Sequence, residues 1–105
     1  MNQSRVLFEK LDWESPMPGM KQKQSEQGGK SLRLVEFRED FVEPGFCTKA
    51  HVGYVLEGSM ALHFADGHSI RFKQGDGLFL AGDEQSRHAV KVDPGQRVLL
   101  LLVDG

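Results

Sequence analysis

The stretch Cys47-Thr-Lys-Ala-His51-Val-Gly-Tyr-Val-Leu-Glu-Gly58-Ser-Met-Ala-Leu-His-Phe64 decides how the rest of the chain is read. A thiol and an imidazole, with three residues between them, precede a run rich in Val, Tyr and Leu. β-Branched and aromatic side chains of this kind suit a half-buried pleated surface. Alternation from His51 puts Val55 and Glu57 on the histidine's face and Tyr54 on the opposite one. The pattern predicts a strand over 51–57, a tight reversal at Gly58 and a second strand over 60–64. In that second strand Met60, Leu62 and Phe64 face the core and His63 faces out. A further isolated histidine, His88, follows 37 positions after His51.

Working outward, period-two alternation and turn residues dominate, and helical periodicity is almost absent. On the C-terminal side, Asp66-Gly67 is a hairpin signal into a strand over 69–72, and Gln74-Gly-Asp-Gly77 turns into 78–80. Residues 87–92 alternate with His88, Val90 and Val92 on one face, and Asp93-Pro-Gly95 precedes a last apolar strand over 98–103. On the N-terminal side, Pro44-Gly45 is a turn and 31–38 is a strand. Leu32, Leu34 and Glu36 share one of its faces, and Arg33, Val35 and Phe37 the other. A first strand over 20–25 ends at Gln27-Gly-Gly29. Residues 1–19 read as an extended arm anchored by Trp13 and broken by Pro16-Met-Pro18-Gly19. About eight short strands with a turn signal every eight to twelve residues predict an all-β sandwich, barrel or jelly roll. The expected organisation is one domain, with an arm and first strand over 1–30 and a barrel over 31–105.

At 105 residues, 39% hydrophobic and 27% charged, the composition is that of an ordinary globular domain with one core. A formal charge of −2 gives no basic excess, which argues against nucleic acid as a partner. No apolar run approaches the ~20 residues of a membrane-spanning helix, so no membrane partner is expected. The N-terminal residues carry Glu9, Lys10, Asp12 and Glu14 and show no apolar signal-peptide core. The single cysteine has no intrachain disulfide partner, and a cytoplasmic location is the expectation. The strand over 98–103 is apolar on both faces. One face fills the barrel, and the other needs a cover, most simply a second copy in a homodimer, otherwise the chain's own arm.

The frame of this stretch resembles a small single-domain cupin over roughly residues 31–103. The first cupin motif runs Gly, five residues, His-x-His, three or four residues, Glu, six residues, Gly. With Gly58 as its last glycine, His51 stands at the Glu position, and Cys47 and Gly45 stand at the two His positions. Some cupins similar to pectin-degradation proteins carry Gln before a nearly identical Gly-Tyr-Val-Leu-x-Gly. The second motif begins at Gly75, has Ala81 in place of the usual Pro, and reaches His88 two residues late, with Val92 where Asn often stands. The resemblance implies a conserved antiparallel β-barrel, or double-stranded β-helix, whose ligand positions have been exchanged: one lost, one a thiol, one an imidazole.

In such a barrel Cys47, His51 and His88 converge near one mouth. A thiolate and two imidazoles would hold a divalent transition metal, Zn, Fe, Ni or Cu, with a position open for water or a small-molecule ligand. Alternatively, Cys47 is a small buried filler and the histidines hydrogen-bond in a wet pocket. Cys47 with His51 also has the composition of a nucleophile–base pair. Glu36 would be an acid/base group or fourth ligand if its face of the strand points inward. Lys49 and Arg87 would stand near the mouth, where they could attract an acidic substrate. His63, His68 and Arg71 read as surface groups. The leading expectation is a metal-binding cupin that acts on or binds a small polar or acidic metabolite. Isomerase, lyase, dioxygenase and epimerase chemistry all remain open. The alternative is a non-catalytic ligand-binding or structural dimer module without metal.

Overall fold

The computed structural model describes residues 4–47 and 50–104, which form an almost entirely antiparallel β-structure. The strands are β1 (Glu14–Met17), β2 (Met20–Gln27), β3 (Lys30–Arg38) and β4 (His51–Phe64), then β5 (Ser69–Lys73), β6 (Gly77–Leu80), β7 (His88–Lys91) and β8 (Arg97–Asp104). Single 3₁₀ turns occupy Phe8–Lys10 and Glu84–Ser86. The main sheet runs β1-β2-β3-β8-β4-β5, with β6 and β7 also paired to β4. No helix among the described residues is long and apolar enough to cross a membrane.

Strand β4 organises the barrel, and here the structure corrects the sequence reading. Residues 51–64 form one strand with no reversal at Gly58. Its first half lies between β8 and β6, and its second half between β5 and β7. The register slips between Val55 and Glu57, where one residue more on β4 than on β8 makes a bulge. Gly58 follows the bulge with φ +79°, and a Cβ there would lie 1.8 Å from the Arg97 carbonyl oxygen. Only glycine fits so close an approach in the left-handed region. The bulge switches the inward parity. His51 and Val55 point inward ahead of it, and Met60, Leu62 and Phe64 point inward after it, all buried. A change of phase in the apolar pattern that reads as a hairpin is therefore a bend that carries one strand across the barrel.

The described part of the N-terminal segment is also more ordered than an extended arm. Strand β1 pairs with β2 through Glu14↔Gln22 and Met17↔Met20, at the sheet edge. Lys23 Nζ donates to the Phe8 carbonyl at 2.8 Å, and the ammonium groups of Lys21 and Lys23 sit 4.5 and 5.0 Å from the Trp13 ring centroid. The segment thus lengthens the sheet and leaves the outer face of β8 open. On that face Val52, Tyr54, Phe79 and Val103 remain exposed.

Inside, Val35, Val55 and Val98 are fully buried and pack with Leu62, Val90, Leu100 and Leu102. Burying each such side chain contributes about 1.5–3 kcal/mol. On β3 the inward face is Arg33, Val35 and Phe37: Val35 belongs to the core, Phe37 packs against it, and Arg33 lines the cavity. Leu32, Leu34 and Glu36 face the other way.

Candidate metal centre

Three elements bring the site together. Cys47 and His88 form an isolated antiparallel bridge in which the Cys47 N–H donates to the His88 carbonyl at 2.7 Å and the His88 N–H returns to the Cys47 carbonyl at 3.1 Å. An antiparallel pair that exchanges both hydrogen bonds holds its Cα atoms ~5.5 Å apart with both side chains on one face. His51 opens β4, opposite Leu80 of β6. Ligand atoms from Cys47, His51 and His88 all lie within 4.8 Å of one another, and both histidines are buried. The imidazole rings meet edge to face with centroids 5.5 Å apart.

The hydrogen bonds decide which ring nitrogens remain available. His51 Nδ1 contacts Asp104 Oδ1 at 2.5 Å, and His88 Nδ1 lies 2.9 Å from the Ser86 carbonyl oxygen. A neutral imidazole that donates from Nδ1 keeps its lone pair on Nε2. Both rings therefore offer Nε2, beside a thiol sulfur, as soft and borderline donors. That set suits Zn²⁺ and later first-row metals better than the hard cations Ca²⁺ and Mg²⁺. The residues present thus fit a transition metal, which Cys47, His51 and His88 could hold.

Electrostatics support neutral histidine at the site. Burial pushes His51 below its ordinary value and outweighs the Asp104 carboxylate, which acts in the opposite sense. For Asp104, burial alone would raise the carboxyl, but hydrogen bonds from His51 and Arg33 hold it below the usual carboxylate range. Arg33 Nε meets Asp104 Oδ2 at 2.5 Å, and Arg33 Nη1 reaches Gln22 Oε1 at 3.0 Å.

Cys47, His51 and His88 line a cavity of about 200 Å³ that runs into the barrel. Its other walls are mostly apolar, among them Met17, Met20, Phe41, Met60 and Leu80, with Arg33 and Glu43 as the charged members. Glu43 Oε1 accepts from the Val90 N–H at 3.3 Å. Arg33, Glu43 and Asp104 all escape the sequence reading. Alternation alone places Arg33 beside Val35 on one face, but nothing in the sequence marks that face as the inner one.

Glu36 requires a correction. It is buried but on the opposite side of β3 from the cavity. Its carboxylate is paired with Arg38 Nε at 2.8 Å and Arg97 Nη1 at 3.4 Å. The parity of β3 sends Val35 inward, so Glu36 must point away from the ligands. Glu57, at the bulge, pairs with Arg97 at 2.7 Å. Arg87 turns back to Glu84, and Lys49 lies outside the described residues. His63 meets Ser69 Oγ at 2.8 Å, and His68 stacks on Phe64 while contacting Asp66, away from the site. Arg71 is exposed and pairs with Asp93.

No family model and no curated protein matches this sequence. Solved structures do resemble it. The polyketide cyclase RemF from Streptomyces resistomycificus superposes with a TM-score of 0.77 at 24% identity, covering 98% of this chain and 79% of that one. An RmlC-like cupin from Shewanella frigidimarina gives 0.71 at 19% identity, covering 98% and 91%. The Fe(II) form of HppE gives 0.74 at 11% identity, covering 100% of this chain and 62% of that one. Identities this low establish architecture alone. The strand order, the bulged β4 that pairs with β6 and β8 in its first half and with β5 and β7 in its second, and these superpositions together make this chain a small domain of the cupin fold.

Proposed function

We propose that the domain is a metal-binding cupin that holds a divalent transition metal on Cys47, His51 and His88 and receives a small molecule in the adjoining cavity. The observation that carries this reading is the convergence of one thiol and two imidazoles within 4.8 Å, each imidazole with Nδ1 engaged elsewhere. A bound metal would supply Lewis-acid polarisation or a site for an oxygen ligand. The chain's own groups would do the rest. The methionine, phenylalanine and leucine walls exclude water and favour a ligand with an apolar body. The polar wall of ligands, Arg33 and Glu43 favours an acidic or polar end. Glu43, inside the cavity, replaces Glu36 as the carboxylate placed to hold or move a proton.

We further propose a homodimer closed through the apolar outer face, where Phe79 is 81% exposed beside Val52, Tyr54 and Val103. The cross-strand pairs Val52↔Phe79, Val52↔Val103 and Tyr54↔Leu101 make that face continuous over three strands. A second reading, a metal-free binding module, draws on the largely apolar lining of the cavity.

Metal content separates the two. Protein purified without a histidine tag should carry or take up about one equivalent of Zn, Fe, Ni or Cu, and His51→Ala should lose it. Wild type that stays metal-free after incubation with each ion would leave the binding module as the better reading.

A further inference from the structure

The register of the sheet places an acid directly behind one of the ligands. In the β4–β8 ladder Val52 faces Val103, so His51 faces Asp104. In the β3–β8 ladder Ser31 faces Asp104 and Arg33 faces Leu102, which makes Arg33 the diagonal neighbour of Asp104 on the inner face. The side chains follow this placement. Asp104 spends one oxygen on His51 Nδ1 and the other on Arg33 Nε, both at 2.5 Å, and Arg33 is steadied in turn by Gln22 of β2 at 3.0 Å. Four neighbouring strands thus contribute one hydrogen-bonded row that ends on the far nitrogen of a candidate ligand.

We propose that Asp104, oriented by Arg33, is a positioning residue for the metal centre, an inference that rests on the metal-binding reading above. By accepting the Nδ1 proton, the carboxylate fixes the tautomer with its lone pair on Nε2. It also fixes the ring's rotation and makes Nε2 a stronger donor. Arg33 has a double effect. It holds the carboxylate in place, and its charge balances that of the half-buried acid. His88 is fixed by a neutral backbone carbonyl instead, so the two imidazoles are unequal, and His51 is the one tuned by charge. Outer carboxylates of this kind are worth ~10–100-fold in metal affinity.

The test is Zn²⁺ affinity, measured by competition with a chromophoric chelator, for wild type, Asp104→Ala, Asp104→Asn and Glu36→Gln. Asp104→Ala should bind ~10–100-fold more weakly than wild type. Asp104→Asn should fall between the two, because an amide oxygen still accepts the Nδ1 proton without the charge. Glu36→Gln alters a more deeply buried carboxylate that is not in the row and should leave affinity unchanged. If the alanine variant does not fold, the near-isosteric asparagine variant carries the test. The ring ¹⁵N shifts of His51 in metal-free protein give a readout that a purely structural role would not move. Wild type should show a protonated Nδ1, and Asp104→Ala a mixture of tautomers. Equal affinity in wild type and both Asp104 variants would overturn the positioning role and leave the metal centre standing. Absence of Zn²⁺ binding in wild type would overturn the metal centre itself.

Discussion

Two carboxylates on neighbouring strands, one half-buried and one buried, meet very different fates. Asp104 lies behind the cavity wall, and its row of contacts ends on His51, whose Nε2 stays uncommitted beside Cys47 and His88. Glu36 faces the other way, and both its oxygens are consumed by Arg38 and Arg97. Each is a paired charge, and pairing alone marks neither as functional. What sets the first cluster apart is a set of unused lone pairs that converge next to empty volume. The second cluster closes on itself and serves as a structural clasp between β3 and β8.

The largest expected effect separates the two clusters through metal binding. His51→Ala removes a ligand and should weaken Zn²⁺ binding by more than the ~10–100-fold that loss of an outer carboxylate produces. Isothermal titration calorimetry checks this, and undiminished affinity would break the comparison. Next, Glu36→Ala should lower unfolding free energy by about 1–2 kcal/mol in a denaturant titration. The figure lies below that for a fully buried pair because Arg38 and Arg97 are partly exposed and can turn to water. Its metal affinity should match wild type. Cys47→Ser should change metal-free stability by about 1 kcal/mol or less and still lose the sulfur ligand. A large stability penalty with intact metal binding would identify the thiol as packing.

Acidification sharpens the same contrast in the metal-free protein. A histidine held below its ordinary 6.5 binds protons more readily when unfolded. Stability is then fully present above pH ~6.5 and falls as the pH drops below it. Asp104, also depressed, adds a second loss as its carboxyl protonates at lower pH. Thermal melts of wild type and His51→Ala across this range should differ in slope below pH ~6.5. The smallest effect on the single chain concerns the outer face. Phe79→Glu should leave folding within about 0.5 kcal/mol and should shift the mass measured by light scattering to that of a monomer. A wild type that is already monomeric would remove the proposed dimer.

Much of this arrangement is legible in the sequence. The alternation of 31–38 and 87–92, the Asp66-Gly67 hairpin and the cupin-like frame around Gly58 point to the fold and to the three side chains that the structure brings together. Where the reading fails, the cause is physical. The phase change between Val55 and Met60 can come from a turn or from a bulge, and period-two patterns do not distinguish them. Strand 31–38 alternates Leu32, Leu34 and Glu36 against Arg33, Val35 and Phe37, so both faces mix apolar with charged residues. Only packing reveals that Arg33 points in and Glu36 points out. Asp104 contacts His51 across 53 positions, a proximity created by sheet register that no local motif encodes.

X-ray absorption at the zinc edge of the loaded protein tests the central claim most directly. Cys47, His51 and His88 predict one sulfur at ~2.3 Å and two imidazole nitrogens at ~2.0–2.1 Å, with the sulfur shell lost in Cys47→Ser. A coordination shell of light atoms alone in wild type, or a sulfur shell that survives the substitution, would contradict it.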